Sequence, residues 1–484
     1  MSSFTAPSPA ASPPAAAGGA LPYGRRRTEL TMLIFAVAIV GFAYASVGFT
    51  LNGKIPSSMP EYMLAFIVIM VAGHLAVRRF AAYADPLLLP LAATLNGLGI
   101  VMIYRLQEAG KNGNPGYGTT GLFAPLSSSA TLIQILYTAI GVGCFVGVLA
   151  LIREARTLQR YTYTIGAAGL ILLALPALLP ASISEVQGAK IQIALGSSFT
   201  IQPEEFAKLA LAISFAGYLV AKRDVLALAG RRMLGVDLPR ARDLGPILVA
   251  WGASLLLLVF ESDIGTSAVF MGLFVAMLYI ATSRTSWLLI GFLLFVTGAF
   301  AAAKLFGHVG ERFTIWLHPF TATNIQGNAF QLVQGLEGMA NGGLLGKGLG
   351  AGQPYLTPLV QSDFIFTAFG EELGLAGVMA ILLIYALIVQ RGLRTALMVK
   401  DPFSKLLAGG LSFMLALQVF VIVGGVTRLI PLTGITTPFL SQGGSSLVAS
   451  WILIALLARL SDSARRPPPR SIQDEGLTQV VTLT

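Results

Sequence analysis

The side chains of this 484-residue chain whose types and spacing could do chemistry stand at the edges of long apolar runs. In SDFIFTAFGEELG (362–374), Asp363 is followed at once by Phe364, Ile365 and Phe366. Such neighbours strip water from a carboxylate, raise its pKa and make it fit to accept a proton. Glu371 and Glu372 lie two helical turns further on, about 12 Å at 1.5 Å per residue, where an Arg or Lys of another helix would make them structural. In QPEEFAK (202–208), Pro203 suits a first helical turn, and Glu205 and Lys208 share a helix face. They form either a structural ion pair or the charged wall of a cavity. Asp263, in ESDIGT (261–266), can cap the helix that follows or face an outer cavity.

Two further stretches join flexibility to charge or hydroxyls. GLLGKGLGAG (343–352) carries Lys347 among glycines that allow close backbone approach to a ligand, or simply a flexible loop. It is not a P-loop, because Gly348 rather than Ser or Thr follows the lysine. In TRLIPLTGITTPFLSQGGSS (427–446), Arg428 could grip a phosphate bidentately or snorkel to a membrane surface. The hydroxyls after it, Ser445 among them, could line a polar site or let helices pack closely. A metal centre finds no support: His74, His308 and His318 are scattered, Cys144 is the one cysteine, and no segment is dense in carboxylates. No cofactor is expected with certainty; a divalent cation, Mg or Mn, stays open as a helper.

The elements that must position these groups are membrane helices. Hydrophobic residues make up 55% and charged residues 11% of the chain, and mean hydropathy is +0.76. A soluble surface needs about 25% charged residues, so a soluble enzyme, a disordered scaffold and a small secreted domain are excluded. An all-α polytopic membrane protein remains. Runs of about 20 apolar residues predict twelve spans, at 30–50, 61–79, 86–105, 132–152, 162–180, 203–221, 245–262, 265–282, 286–306, 364–389, 406–427 and 444–460. With both termini cytoplasmic, 23 of the 32 Lys and Arg fall on the cytoplasmic side and eight on the outer side, as positive-inside topology requires. The net charge of +10 therefore reflects topology, and no nucleic-acid partner is expected. Residues 1–28 read as a disordered cytoplasmic tail, 29–130 as an N-terminal transmembrane extension, 131–460 as the core with a large extracytoplasmic loop at 307–363, and 461–484 as a cytoplasmic C-terminal tail. Within the large loop, Phe313, Trp316, Leu317 and Phe320 recur at i, i+3, i+4 and i+7, predicting a short interfacial helix or an aromatic anchor.

In this order, QPEEFAK (202–208), DIGTS (263–267), QLVQGLEGMANGGLLGKGLG (331–350), SDFIFTAFGEELG (362–374) and PLTGITTPFLSQGGSS (431–446) resemble the SEDS family of bacterial cell-wall proteins. The likeness covers roughly 200–460. The stretch before it looks like two spans added at the N-terminus of a ten-helix core, and with the short C-terminal tail it looks more like an elongation member than a division member. The resemblance implies a peptidoglycan glycosyltransferase that polymerises lipid II on the outer face of the bacterial cytoplasmic membrane, beside a class B penicillin-binding protein that crosslinks the product. It places the family's essential aspartate at Asp363 and its cavity residues at Glu205, Lys208 and Asp263. The chain departs from the family pattern at Gln361-Ser362, where members often carry His-Thr, at Gln442, where Tyr is common, and at ESD (261–263) in place of QPD.

That activity sets the chemistry. An α-linked pyrophosphate donor giving a β1→4 bond inverts at the anomeric carbon, which calls for one base and no covalent enzyme intermediate, as in inverting hydrolysis. Asp363 is then the base, and Arg428 or Lys347 could steady the developing pyrophosphate charge. Twelve spans with intramembrane charges also suit a lipid II flippase. A scaffold that only recruits the penicillin-binding protein, and a division-type polymerase, are the other readings.

Overall fold

In the computed structural model, residues 22–111, 130–180, 184–186, 189–190, 192–195, 199–227, 229–233, 236–239, 252 and 264–467 are described. The span expected at 245–262 and the side chain of Asp263 lie outside these residues. Helices α1 (Pro22–Asn52), α2 (Met59–Phe80), α3 (Leu88–Lys111), α4 (Ala130–Leu151) and α5 (Thr162–Leu178) form the first part of the bundle. α6 (Pro203–Ala227), α7 (Ile264–Thr282) and α8 (Thr285–Leu305) continue it. Two shorter helices follow, α9 (Gly307–Leu317) and α10 (Phe330–Gly342). The bundle closes with α11 (Ile365–Met398), α12 (Pro402–Val426) and α13 (Gly444–Arg465). Three two-stranded antiparallel hairpins decorate the connections, pairing Glu185–Val186 with Ala189–Lys190, Ile193–Leu195 with Phe199–Ile201, and Ala229–Met233 with Val236–Pro239.

Among the described residues, nine helices are long and apolar enough to cross a membrane, and the chain is a multi-pass membrane protein. α3 is the hub, with 89% of its apolar stretch buried against other helices, whereas α8 buries 17% and faces outward. Since lipid is as apolar as leucine, packing and interhelical hydrogen bonds hold such a hub. Here Trp451 of α13 donates to Asn96 Oδ1 of α3 at 3.1 Å, and Asn96 donates to Thr138 of α4 at 3.2 Å.

Three boundaries differ from the sequence reading, the first two where a charge finds a partner inside the bundle. α1 begins at Pro22, within the expected tail, and Arg26 is buried against Glu29. α13 runs past residue 460 to Arg465, because Asp462 accepts the Tyr83 amide at 2.8 Å. The interfacial helix α9 ends at Leu317, so Phe320 falls in the turn beyond it.

α11 is longer than expected, and it is broken. Gly374 has φ +68° and ψ −172°, far from helical values. The interruption frees backbone amides that hydrocarbon cannot satisfy. The glycine-rich loop supplies the missing acceptors: Leu375 N donates to Gly343 O at 2.9 Å and Ala376 N to Leu344 O at 3.0 Å. Only glycine allows the approach, since a Cβ at 374 would lie 2.2 Å from the Gly346 nitrogen.

Candidate active site

Asp363 closes the turn that leads into α11 and is half-buried. The following Phe364, Ile365 and Phe366 are fully covered and anchor that turn. Phe364 lies flat on α10, where a Cβ at Gly335 would fall 2.8 Å from its ring. Gln331 of α10 donates to Pro358 O at 2.9 Å and holds the approach to the turn. Thus the glycine-spaced motif at 331–342 forms a seat for the aspartate's own segment.

The last connection, between α12 and α13, meets this turn edge to edge. Gln442 N donates to Gln361 O at 2.8 Å. The Ser441 hydroxyl donates to Ser362 O and accepts from Thr437 N at 2.8 Å. Gln134 of α4 donates to Ser441 O at 3.1 Å. Four residues after Ser441, Ser445 Oγ accepts the Gln202 amide at 2.9 Å. That contact brings the start of α6, and with it the buried Glu205–Lys208 pair at 2.8 Å, to the same end of the bundle as Asp363. Two motifs far apart in sequence therefore share one wall.

Ser362 Oγ lies 2.8 Å from Asp363 Oδ1 and 2.9 Å from Leu359 O, so its single proton can serve either acceptor. Burial pushes the Asp363 carboxyl above the ordinary carboxylate range. The Ser362 hydroxyl, its own backbone amide, the Arg312 charge and the Phe364 amide pull it back in part. Arg312 belongs to α9, and its guanidinium is fixed by Leu432 O at 3.1 Å and Thr433 O at 3.0 Å. The sequence reading passed over this residue. A signal existed: Arg312 precedes the aromatic Trp316 by four residues, on the half-buried side of an amphipathic helix.

One expected site residue, Arg428, is occupied elsewhere. Arg428 Nε donates to Trp316 O at 2.8 Å, and its Nη2 to Leu317 O at 3.1 Å. Its guanidinium also covers the Phe320 ring at 5.6 Å. Because α9 ends there with open carbonyls, a cation is drawn onto them, and Arg428 serves as a helix clasp. Lys347 is exposed, and its backbone amide donates to Glu371 O at 3.1 Å. Gly346 beside it allows close approach to α11, where a Cβ would fall 2.3 Å from Glu372 O. Glu372 pairs with Arg105 of α3 at 2.8 Å, and Glu371 accepts the Gln353 amide at 2.8 Å, the structural roles expected of them.

The described residues assemble no donor set for a divalent cation, since no three His, Cys, Asp or Glu side chains among them come together. A groove of about 710 Å³ opens between α11 and α12, lined by Leu382, Val389, Leu393, Val419, Phe420 and Val423 among others. It is apolar, and none of the expected site residues lines it.

The FtsW/RodA/SpoVE family model, described as cell cycle protein, matches residues 86–466. The chain belongs to this family. Among its FtsW/RodA/SpoVE relatives, the peptidoglycan glycosyltransferase RodA of Mycobacterium tuberculosis is 48% identical over 447 residues, 92% of each chain. That of Mycobacterium leprae is 47% identical over 443 residues, again 92% of each. The 447-residue match is longer than everything from residue 86 to the end, so it takes in part of the chain before the family match. A chain from a peptidoglycan synthase complex, described as coordinating polymerization and crosslinking, aligns with TM-score 0.60 and 25% identity over 79% of this chain and 99% of that one. The crystal structure of Thermus thermophilus RodA shares the fold, with TM-score 0.53 and 23% identity over 80% of this chain and 98% of that one.

Proposed function

We propose that this protein is an elongation-type peptidoglycan glycosyltransferase that polymerises lipid II, with Asp363 as general base. The observation that carries the reading is the position of Asp363: half-buried, with its carboxyl pushed upward, on a wall where three family motifs meet. Asp363 takes the proton of the GlcNAc 4-hydroxyl of one lipid-linked saccharide. The freed oxygen pair forms a bond to MurNAc C1 of the other, on the face opposite the leaving group. The C1–oxygen bond breaks, and undecaprenyl pyrophosphate departs with that electron pair. Arg312, rather than Arg428 or Lys347, is the cation placed to steady the departing charge, because the carbonyls of Leu432 and Thr433 fix it toward Asp363.

The site works at the outer leaflet of the bacterial cytoplasmic membrane, since both substrates are membrane lipids carrying saccharides. A class B penicillin-binding protein is the partner that crosslinks the product. A single apolar helix of that partner fits the groove between α11 and α12, which runs along both spans from the level of Leu397 to that of Thr427. The likeness to a complex described as coordinating polymerization and crosslinking supports this pairing.

The test is polymer formation from purified lipid II in detergent, where there are no leaflets to cross. Wild type should form glycan, and Asp363→Ala should insert and fold yet form none. Lipid movement across vesicles without any polymer would instead make the protein a transporter.

A further inference from the structure

We propose that α1 and α2, the two helices before the family match, position the loop that holds the catalytic segment. The inference rests on the reading of Asp363 as base. Gly350, buried with φ +88°, lies under the end of α1: a Cβ there would fall 3.0 Å from Thr50 Cβ and 3.2 Å from Val47 O. The Gly350 amide donates to Glu372 Oε2 at 3.0 Å. Glu372 Oε1 accepts from Arg105 Nε at 2.8 Å, and Arg105 Nη2 donates to Gly352 O at 2.7 Å. Glu372 stands on the short part of α11 before the break at Gly374, the part that Asp363 leads into. A continuous path therefore runs from Thr50 through the glycine loop to the base.

The path needs α1 to be fixed, and it is fixed at three levels. Beside Arg105, Tyr104 stacks on Tyr44 of α1 with ring centroids 4.4 Å apart. Tyr44 also meets the start of α2, its hydroxyl 3.1 Å from Ser58 Oγ. At the far end Arg26 donates to Ala84 O, and Glu29 holds His74 of α2 at 2.8 Å. The family match begins at residue 86 and includes neither helix, so the brace is an addition to the shared core. Every contact in it is a distance that sets where Asp363 stands against its substrates, and misplacement by about 1 Å costs roughly a hundredfold in rate.

Steady-state polymerisation by the full-length protein tests this, with thermal unfolding as the fold control. Gly350→Ala should lower kcat about tenfold with KM for lipid II within about twofold. Thr50→Gly alone should stay near wild type, and added to Gly350→Ala it should restore part of the lost kcat by removing the Cβ opposite, the strain at φ +88° and the Val47 O contact remaining. Thr50→Trp, at an exposed position, should lower kcat without lowering the unfolding temperature, and it decides the matter if Gly350→Ala does not fold. An unchanged kcat in Gly350→Ala, a loss that Thr50→Gly does not relieve, or, where Gly350→Ala does not fold, an unchanged kcat in Thr50→Trp, would overturn the brace. Asp363→Asn run in parallel separates the two readings: activity there removes the base and leaves the rescue pattern to judge the brace by itself.

Discussion

The interior of the bundle and the turn that leads into α11 treat their carboxylates differently. At the end away from Asp363, Asp462 accepts Tyr83 N at 2.8 Å and lies 2.7 Å from Arg466 and 3.4 Å from Arg459. Asp85 pairs with Arg465 and lies 3.9 Å from Arg391, and Glu29 holds Arg26 and His74. Glu372, near the other end, has Arg105 and the Gly350 amide. Each of these anions has a cation in direct contact. Asp363 has one shared hydroxyl proton, local amides and the field of Arg312, and it is half-buried rather than sealed. A saturated carboxylate can only hold helices together. One without a cation in contact keeps a lone pair for a substrate.

This contrast can be broken most directly at its poorly partnered member. Asp363→Ala should cut polymerisation by about a thousandfold or more, measured as glycan on gels, with little change in unfolding temperature. At the well-partnered extreme, Arg105→Ala leaves Glu372 buried and alone, and should cost about 3–5 kcal/mol of stability, read from unfolding in detergent. Arg312→Gln should lower polymerisation by about a hundredfold.

The same variant sharpens the contrast through pH. A base must be unprotonated, so the rate falls as pH drops through the Asp363 pKa, which burial sets above the ordinary value. Removing the Arg312 charge takes away an influence that pulls this pKa down, so the acid limb of kcat/KM should move to higher pH. Ser362→Ala should move it the same way and further, because its hydrogen bond is the strongest of the influences that pull the pKa down. For stability the sign is reversed: a carboxyl whose folded pKa is raised contributes most below the unfolded value, and that contribution is lost as pH rises through the folded pKa. Asp363→Asn should therefore unfold no earlier than wild type at neutral pH. The smallest effect is expected at Lys347→Ala, with polymerisation within about twofold, because its exposed ammonium touches nothing that the site uses.

Most of the helical frame was legible, because a bilayer demands about 20 apolar residues per span and little else. Asp363, Glu205, Lys208 and Ser445 could be singled out because charge or hydroxyls stood where hydrocarbon was expected. Arg312 and Arg428 could not be told apart in sequence: both are arginines at a membrane surface, and what separates them is which backbone carbonyls each one reaches. The break in α11 was hidden because Leu373, Leu375 and Ala376 continue an apolar helical pattern across Gly374. Its cause lies about thirty residues upstream, in loop carbonyls that no local pattern links to it.

That break has a mechanical corollary. An uninterrupted rod of 34 residues would transmit any tilt imposed deep in the bilayer straight to the aspartate at its tip. Here the loop holds both sides of Gly374, through Leu375 and Ala376 below the break and Glu371 and Glu372 above it, so the turn carrying Asp363 is tied to the loop as well as to the long span.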